Sequence, residues 1–365
     1  MIINSLSLQN FRNYSKQEFE FASGTTLLVG PNASGKTNLL EAIYLLATGK
    51  SFRAGVEKEM ISYGKEIARV QGKIKGEEGI QALEIVLTPG QLGGERVAKK
   101  KYSINKVGKR MMDFVGHLRC VLFGPEDLEI IVDSPSTRRN YLDGVLEQVD
   151  REYRRASLSY HKGLRQRNRL LEQIREEGKP RSILFFWDKL LIENGGIITQ
   201  KREEFINFIN QQPDYFGDLN IVYDSSAISP QRLEKYAGEE VAAGMTLVGP
   251  HRDDFDIRVK GQESGGVKER SLHTFGSRGE QRTAVFSLKL GELEYVAERT
   301  EERPVLLLDD IFSELDHERR KRLLEIIPKQ QTIITTTDIH LVEPAYRKKV
   351  KTLNLKPEKK IKTSS

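Results

Sequence analysis

A strand-forming run, Thr25-Thr26-Leu27-Leu28-Val29, leads directly into Gly30-Pro31-Asn32-Ala33-Ser34-Gly35-Lys36-Thr37, which fits G-x-x-x-x-G-K-[ST]. Residues 38–48 then carry Leu39, Leu40, Ile43 and Leu46 at helical spacing. Strand, glycine loop and helix in that order predict an α/β fold. The glycines let backbone N–H groups turn toward a phosphate, and the following helix presents its positive end there. Lys36 is placed to neutralise β- and γ-phosphates, and the Thr37 hydroxyl to ligate Mg²⁺. A chance match in a chain this long has odds on the order of 1%. The flanking strand and helix disfavour a merely structural glycine turn.

The chain supplies an acidic counterpart far downstream. Val305-Leu306-Leu307-Leu308 ends in Asp309-Asp310. A carboxylate closing an apolar strand is costly unless it holds a cation or a water on one, which makes Asp309 the second Mg²⁺ candidate. Asp310, next in the chain, reads on its own as a loop residue pairing with a nearby Arg.

Composition narrows the setting. The 365 residues are 38% hydrophobic, enough for a large core and more than one domain. No run approaches a membrane span, and Met1 is followed by no basic-then-apolar leader, so a cytoplasmic location is expected. The lone cysteine, Cys120, excludes internal disulfides and a Cys-based zinc site, and the six histidines stand singly. A net charge of +6 leans toward a polyanionic partner, although 58 basic residues sit among 52 acidic ones.

Residues 1–29 read as short strands, and 66–105 as an antiparallel sheet in which Lys99-Lys100-Lys101 follow an exposed hairpin or loop. From Thr137 to about Glu177 glycine and proline nearly vanish. There Leu146, Val149, Tyr153, Ala156, Tyr160 and Leu164 form a stripe at spacings of three and four. Gly178-Lys179-Pro180 breaks it, and a second helical stretch covers Ile183 to Asn210. A helix of about 40 residues spans at most roughly 60 Å, far short of the long arms of SMC proteins. The expected division is 1–136 and 241–346 as two parts of one ATPase domain, 137–240 as a helical second domain, and 347–365 as a basic, fraying tail. Candidate polyanion contacts are Lys99–Lys101, Lys106, Lys109, Arg110 and the helix residues Arg151, Arg154, Arg155, Lys162, Arg165, Arg167 and Arg169. For each the competing reading is a solvated surface. Arg138-Arg139 at a helix start is an odd place for paired positive charge, and points to an anion.

Ser277-Arg278-Gly279-Glu280-Gln281 resembles the signature loop of ABC ATPases, with Arg278 in place of a Gly. It opens an apolar-faced helix (Val285, Leu288, Leu290, Leu293) shortly before the acidic strand. In such proteins this loop meets the γ-phosphate held by a second subunit, which gives Ser277 and Gly279 their expected role and implies an ATP-dependent homodimer. Asp310 stands where many ABC ATPases have a Glu that polarises water. Ser313-Glu314-Leu315-Asp316 matches the D-loop. Thr335-Thr336-Thr337-Asp338 falls where the switch histidine usually lies, with His340 two residues on. Phe123-Gly124-Pro125-Glu126-Asp127 occupies the Q-loop's place without a Gln.

The resemblance sharpens with Pro125-Glu126-Asp127-Leu128, Ile130-Ile131, Ser134-Pro135, Arg138-Arg139 and Tyr141-Leu142-Asp143. These resemble the RecF family of bacterial recombination mediators. Lys50-Ser51-Phe52-Arg53 and Leu247-Val248-Gly249-Pro250-His251-Arg252-Asp253-Asp254 resemble further RecF segments, and Asn10-Phe11-Arg12-Asn13-Tyr14 is shared with SMC-like heads. One departure is Asp133, where the family pattern usually has Gly. The matches run from residue 2 to about 340. The resemblance implies an ABC-type ATPase head with mixed sheets in two lobes and an inserted helical subdomain, with Arg12 and Arg53 joining 30–37 at ATP. It also implies an ATP-driven dimer on DNA at gaps or single-strand/duplex junctions, working with RecR and RecO so that RecA loads, with slow, DNA-stimulated hydrolysis resetting it. The alternatives are an SMC-like clamp with other partners, or a transporter's nucleotide-binding subunit, which would couple through a Q-loop.

Overall fold

A computed structural model describes the chain except for residues 77–78, 213–217, 264–265, 314, 316, 338–346, 348–349 and 357–365. The described chain forms two compact units, Met1–Pro125 with Val296–Ser365, and Glu126–Tyr295.

The first unit wraps two sheets around the helix that follows the glycine loop. One is parallel, in the order Cys120–Phe123, Val305–Asp309, Thr332–Thr336, Thr25–Val29, Lys351–Asn354. The other is antiparallel, in the order Tyr14–Glu20, Ile2–Phe11, Ala68–Gly76, Gly79–Leu87, Lys100–Ile104, Val107–Lys109. The helix Lys36–Thr48 buries Leu39, Leu40, Ile43 and Leu46 in one core with Leu6, Val70 and Ile85 of the antiparallel sheet and Leu28, Leu307 and Ile333 of the parallel one. Close approach needs Gly72, since a Cβ there would stand 2.7 Å from the Leu46 side chain. Buried Gln331 ties the sheets together. Its Oε1 accepts from Ile3 N at 2.7 Å, and its Nε2 donates to the carbonyls of Ile3 and Ala22 at 2.8 and 2.7 Å.

One expectation is corrected here. Residues 351–354, read as part of a fraying tail, form the outer parallel strand, because Leu353 and Leu355 have apolar surface to cover. Lys100 and Lys101 lie in a strand of the antiparallel sheet expected over 66–105, and the Lys100 ammonium donates to Gly49 O at 2.8 Å and pairs with Glu57.

The second unit carries the helices Pro135–Val149, Arg151–Glu177 and Phe185–Asn210, most of Arg278–Thr300, and a three-stranded antiparallel sheet, Leu219–Asp224, Asp254–Glu263 and Gly266–Ser271. The helix expected to run unbroken from 137 stops at Asp150, whose carboxylate accepts from Tyr153 N at 3.0 Å and caps the next helix. Leu146, Tyr153, Ala156 and Tyr160 of the predicted stripe are buried. Sheet strands and long helices thus share one compact unit.

Its centre is ionic. Arg202, 3% exposed, donates to Asp143 at 2.7 Å, Asp253 at 2.9 Å and Pro250 O at 2.7 Å. Several basic residues considered for external anions are used inside the fold. Arg167, 1% exposed, pairs with Asp188 and Glu240, each at 2.7 Å. Buried Arg154 donates to Glu147 O. The anion anticipated beside Arg138-Arg139 is internal: Arg138 grips Asp254 through two bonds of 2.6 and 3.0 Å, and Arg139 donates to Asp253 O. A buried guanidinium left without such partners would carry a large desolvation cost, so these pairings are obligatory.

The segment 247–254 packs on the same network. Tyr160 Oη lies 2.8 Å from His251 Nδ1, and His251 Nε2 lies 3.0 Å from Thr246 O. A carbonyl only accepts, so Nε2 carries the proton and Nδ1 accepts from the tyrosine. Burial pushes His251 down to about 4, against the opposing pull of the Thr246 carbonyl. The folded state therefore binds its proton later than the unfolded chain. The stabilisation is complete above about pH 6.5 and is lost as pH falls through 4, up to about 3 kcal/mol from this one group. Urea midpoints at pH 7 and pH 4.5 should differ more in the parent than in His251→Gln; equal differences would refute it.

Candidate nucleotide site

The glycine loop is held from below. Gly35 has φ +99°, a conformation that favours glycine, and a Cβ there would stand 2.5 Å from the Tyr14 hydroxyl. Tyr14 Oη donates to Gly35 O at 3.0 Å, and Asn38 Nδ2 donates to Asn13 Oδ1 at 2.8 Å. Gly30 is equally constrained, because a Cβ would meet Ser34 Oγ at 2.6 Å and Leu355 O at 2.7 Å.

Lys36 begins the helix, and its ammonium donates to Gly30 O at 2.7 Å and Pro31 O at 3.1 Å. Burial holds it below the usual lysine value, while the carboxylates of Asp310 and Asp309 oppose the shift. The structure brings Thr37 and Asp309 together, with the Thr37 hydroxyl donating to Asp309 Oδ1 at 3.1 Å. Thr335 donates to the same oxygen at 2.7 Å, and its hydroxyl accepts from Asp310 N at 2.9 Å. The parallel register sets this up by placing Thr335 beside Asp309. Asp310 adopts φ +51°.

The residues fit an ATP–Mg²⁺ group. Ser34 Oγ is buried and has no hydrogen-bond partner among the described residues, an orphan that a phosphate oxygen would satisfy. Thr37 and Asp309 are hard oxygen donors side by side, suited to a cation that completes its shell with phosphate oxygens and water.

The Arg12 guanidinium is engaged within the protein. Its Nε and Nη2 donate to the buried Glu41 carboxylate at 2.7 and 2.6 Å, and Nη1 to Glu59 O at 2.7 Å. Glu41 also accepts from Ser51 Oγ. Arg53 is more exposed and reaches Asn38 Oδ1 at 3.4 Å. Sequence reasoning missed Asn13, Tyr14, Asn38, Glu41 and Thr335 as supports. Glu41, a carboxylate on the buried side of the helix, was the available signal.

Ser277 and Gly279 lie in the second unit. Ser277 caps the helix Arg278–Thr300 reciprocally. Its N and Oγ donate to Glu280 Oε2 at 2.9 and 2.8 Å, and Glu280 N donates to Ser277 Oγ at 3.3 Å. Both residues are exposed, and nothing crowds Gly279. Gln281 turns inward, its amide donating to Leu272 O at 2.9 Å. Pro125–Leu128 forms a single 3₁₀ turn. Glu314, Asp316, Asp338 and His340 lie outside the described residues. Thr337 is exposed.

Residues 2–362 match the family described as RecF/RecN/SMC N terminal domain. The DNA replication and repair protein RecF of Herpetosiphon aurantiacus is 37% identical over 380 residues, covering 95% of this chain and 96% of the relative. The chain belongs to the RecF family. RecF of Lachnoclostridium phytofermentans is likewise 37% identical, over 93% of each chain. Among solved structures, the recombination mediator RecF with ATP, described in the RecFOR pathway, superposes with a TM-score of 0.82 at 35% identity over 93% of each chain. An SMC head bound to a ScpA winged-helix domain superposes at 0.51 with 16% identity, a likeness of fold. The fold is therefore that of an ABC-type ATPase head of the RecF/SMC kind. Among the described residues no helix is long and apolar enough to cross a membrane.

Proposed function

We propose that this chain binds ATP–Mg²⁺ at 30–37 with Thr37 and Asp309, and that ATP drives two copies together on double-stranded DNA at gaps or junctions. The observation that carries the reading is the 3.1 Å hydrogen bond from Thr37 to Asp309, which joins two motifs 272 residues apart beside the Lys36 ammonium. In the bound state Lys36 exchanges its loop carbonyls for β- and γ-phosphate oxygens, and Asp310 orients and polarises the attacking water. Ser277 and Gly279 complete the site of the neighbouring copy, and Arg12 and Arg53 flank the nucleotide. Mg²⁺ supplies charge neutralisation to the phosphates when bound. RecR and RecO are the proposed partners in loading RecA, with slow, DNA-stimulated hydrolysis resetting the dimer in the cytoplasm. The division into ATPase parts 1–136 and 241–346 around a helical domain 137–240 belongs to this reading. It rests on family membership, and the family also disfavours a transporter subunit.

Asp310→Asn tests it. The cradle of Lys36 and Thr37 is untouched, so ATP binds, but the water loses its carboxylate and hydrolysis falls by roughly 10²-fold or more. A dimer should then accumulate with ATP on gapped duplex, read by light scattering. If hydrolysis falls with no gain in dimer, Asp310 is structural; if neither ATP nor DNA changes the mass of parent or variant, the clamp reading fails.

A further inference from the structure

The signature loop contains a carboxylate where an incoming phosphate would be repelled. Glu280 Oε2 accepts from both the N and the Oγ of Ser277, so the serine hydroxyl that would greet a γ-phosphate is tied to a negative charge. The other carboxylate oxygen, Oε1, is gripped by Arg270 Nη2. Arg270 stands ten residues upstream on the strand Gly266–Ser271, and its Nη1 donates to Phe275 O at 2.8 Å. One planar guanidinium thus fastens both ends of the loop 275–280. The loop has little other freedom: Gly276 N donates to Leu272 O at 3.1 Å, and a Cβ on Gly276 would stand 2.5 Å from that same carbonyl.

We propose that Arg270 is a positioning residue for Ser277, cancelling the Glu280 charge and fixing the loop so that the serine hydroxyl can turn from Glu280 to a nucleotide held by a second copy of this chain. The inference rests on the composite-site reading above. Arg270 touches no nucleotide in this account; it acts through Glu280. The guanidinium reaches Phe275 O and the Glu280 carboxylate together in fixed fork geometry, whereas a lysine ammonium on a flexible stem reaches one or the other. The carboxylate already lies below its usual range through the Ser277 N–H, the Ser277 hydroxyl and Arg270, so it is charged at neutral pH and needs neutralising.

The test uses the full chain with ATP and gapped duplex, reading the protein concentration for half-maximal pairing alongside ATP affinity of the isolated copy. Arg270→Ala should raise that concentration about tenfold, the worth of one charge-assisted interaction, with single-copy ATP affinity and melting temperature unchanged. Arg270→Lys should fall between. Arg270→Ala combined with Glu280→Gln should recover most of the loss, because the uncompensated charge is gone while the glutamine oxygen still caps Ser277. An arginine that merely stiffened the loop would not be rescued by removing its partner's charge. Parent-like pairing in Arg270→Ala, or no recovery in the double variant, overturns the proposal. Ser277→Arg separates the two levels. If it blocks pairing while Arg270→Ala does not, the composite site stands and this inference falls. If Ser277→Arg pairs normally, both fall.

Discussion

Lys36→Arg should lose ATP turnover by at least about a hundredfold, with ATP-driven pairing weakened in parallel. The reason is steric as much as electrostatic. The Lys36 ammonium sits inside the loop, within 3.1 Å of two of its carbonyls, and is only 7% exposed. A compact ammonium can swing from those carbonyls to phosphate oxygens without moving the backbone. A guanidinium has the same charge, but its planar fork is wider than the space, and Gly30 and Gly35 allow no retreat: a Cβ on either would meet atoms at 2.5–2.6 Å. Parent-like turnover in Lys36→Arg would remove Lys36 from the site.

What could be read from the sequence follows physical range. The phosphate loop is a local device in which strand, glycines and helix are contiguous. Asp309 was found because a carboxylate ending an apolar strand is anomalous wherever the strand lies. Thr335 was not found as its partner, since that depends on which strand lies next to Val305–Asp309, a fact of topology. The capping aspartate Asp150 is a local signal that was overridden by the continuous apolar stripe on either side. The basic helix face misled at Arg154 and Arg167, because packing turns both inward: Arg154 donates to Glu147 O, and the acidic partners of Arg167, Asp188 and Glu240, come from distant segments. Arg12 illustrates the same limit. Its motif is local, whereas the burial of Glu41 that fixes its guanidinium depends on how the helix sits against the sheets.

Mixing two inactive variants should restore activity. Lys36→Arg damages the phosphate loop, and Ser277→Arg places a bulky cation where Ser277 caps its helix in the open, so it should bind ATP as a single copy yet fail to pair and hydrolyse. In the proposed two-fold pair each site would take its loop from one copy and its signature from the other. A heterodimer of the two variants puts both lesions into one site and leaves the second site intact. Each mixed dimer carries one good site of two, so recovery should reach at most about half of parent activity if sites act alone. Excess Lys36→Arg or excess Ser277→Arg should each reduce it, because mixed dimers become rarer. Absence of recovery despite heterodimers detected by differential tagging would mean that the two sites fire only together. Hydrolysis by Ser277→Arg alone, at a mass of one copy, would remove the second copy from the chemistry, since the phosphate loop, Asp309 and Asp310 of a single chain would then suffice.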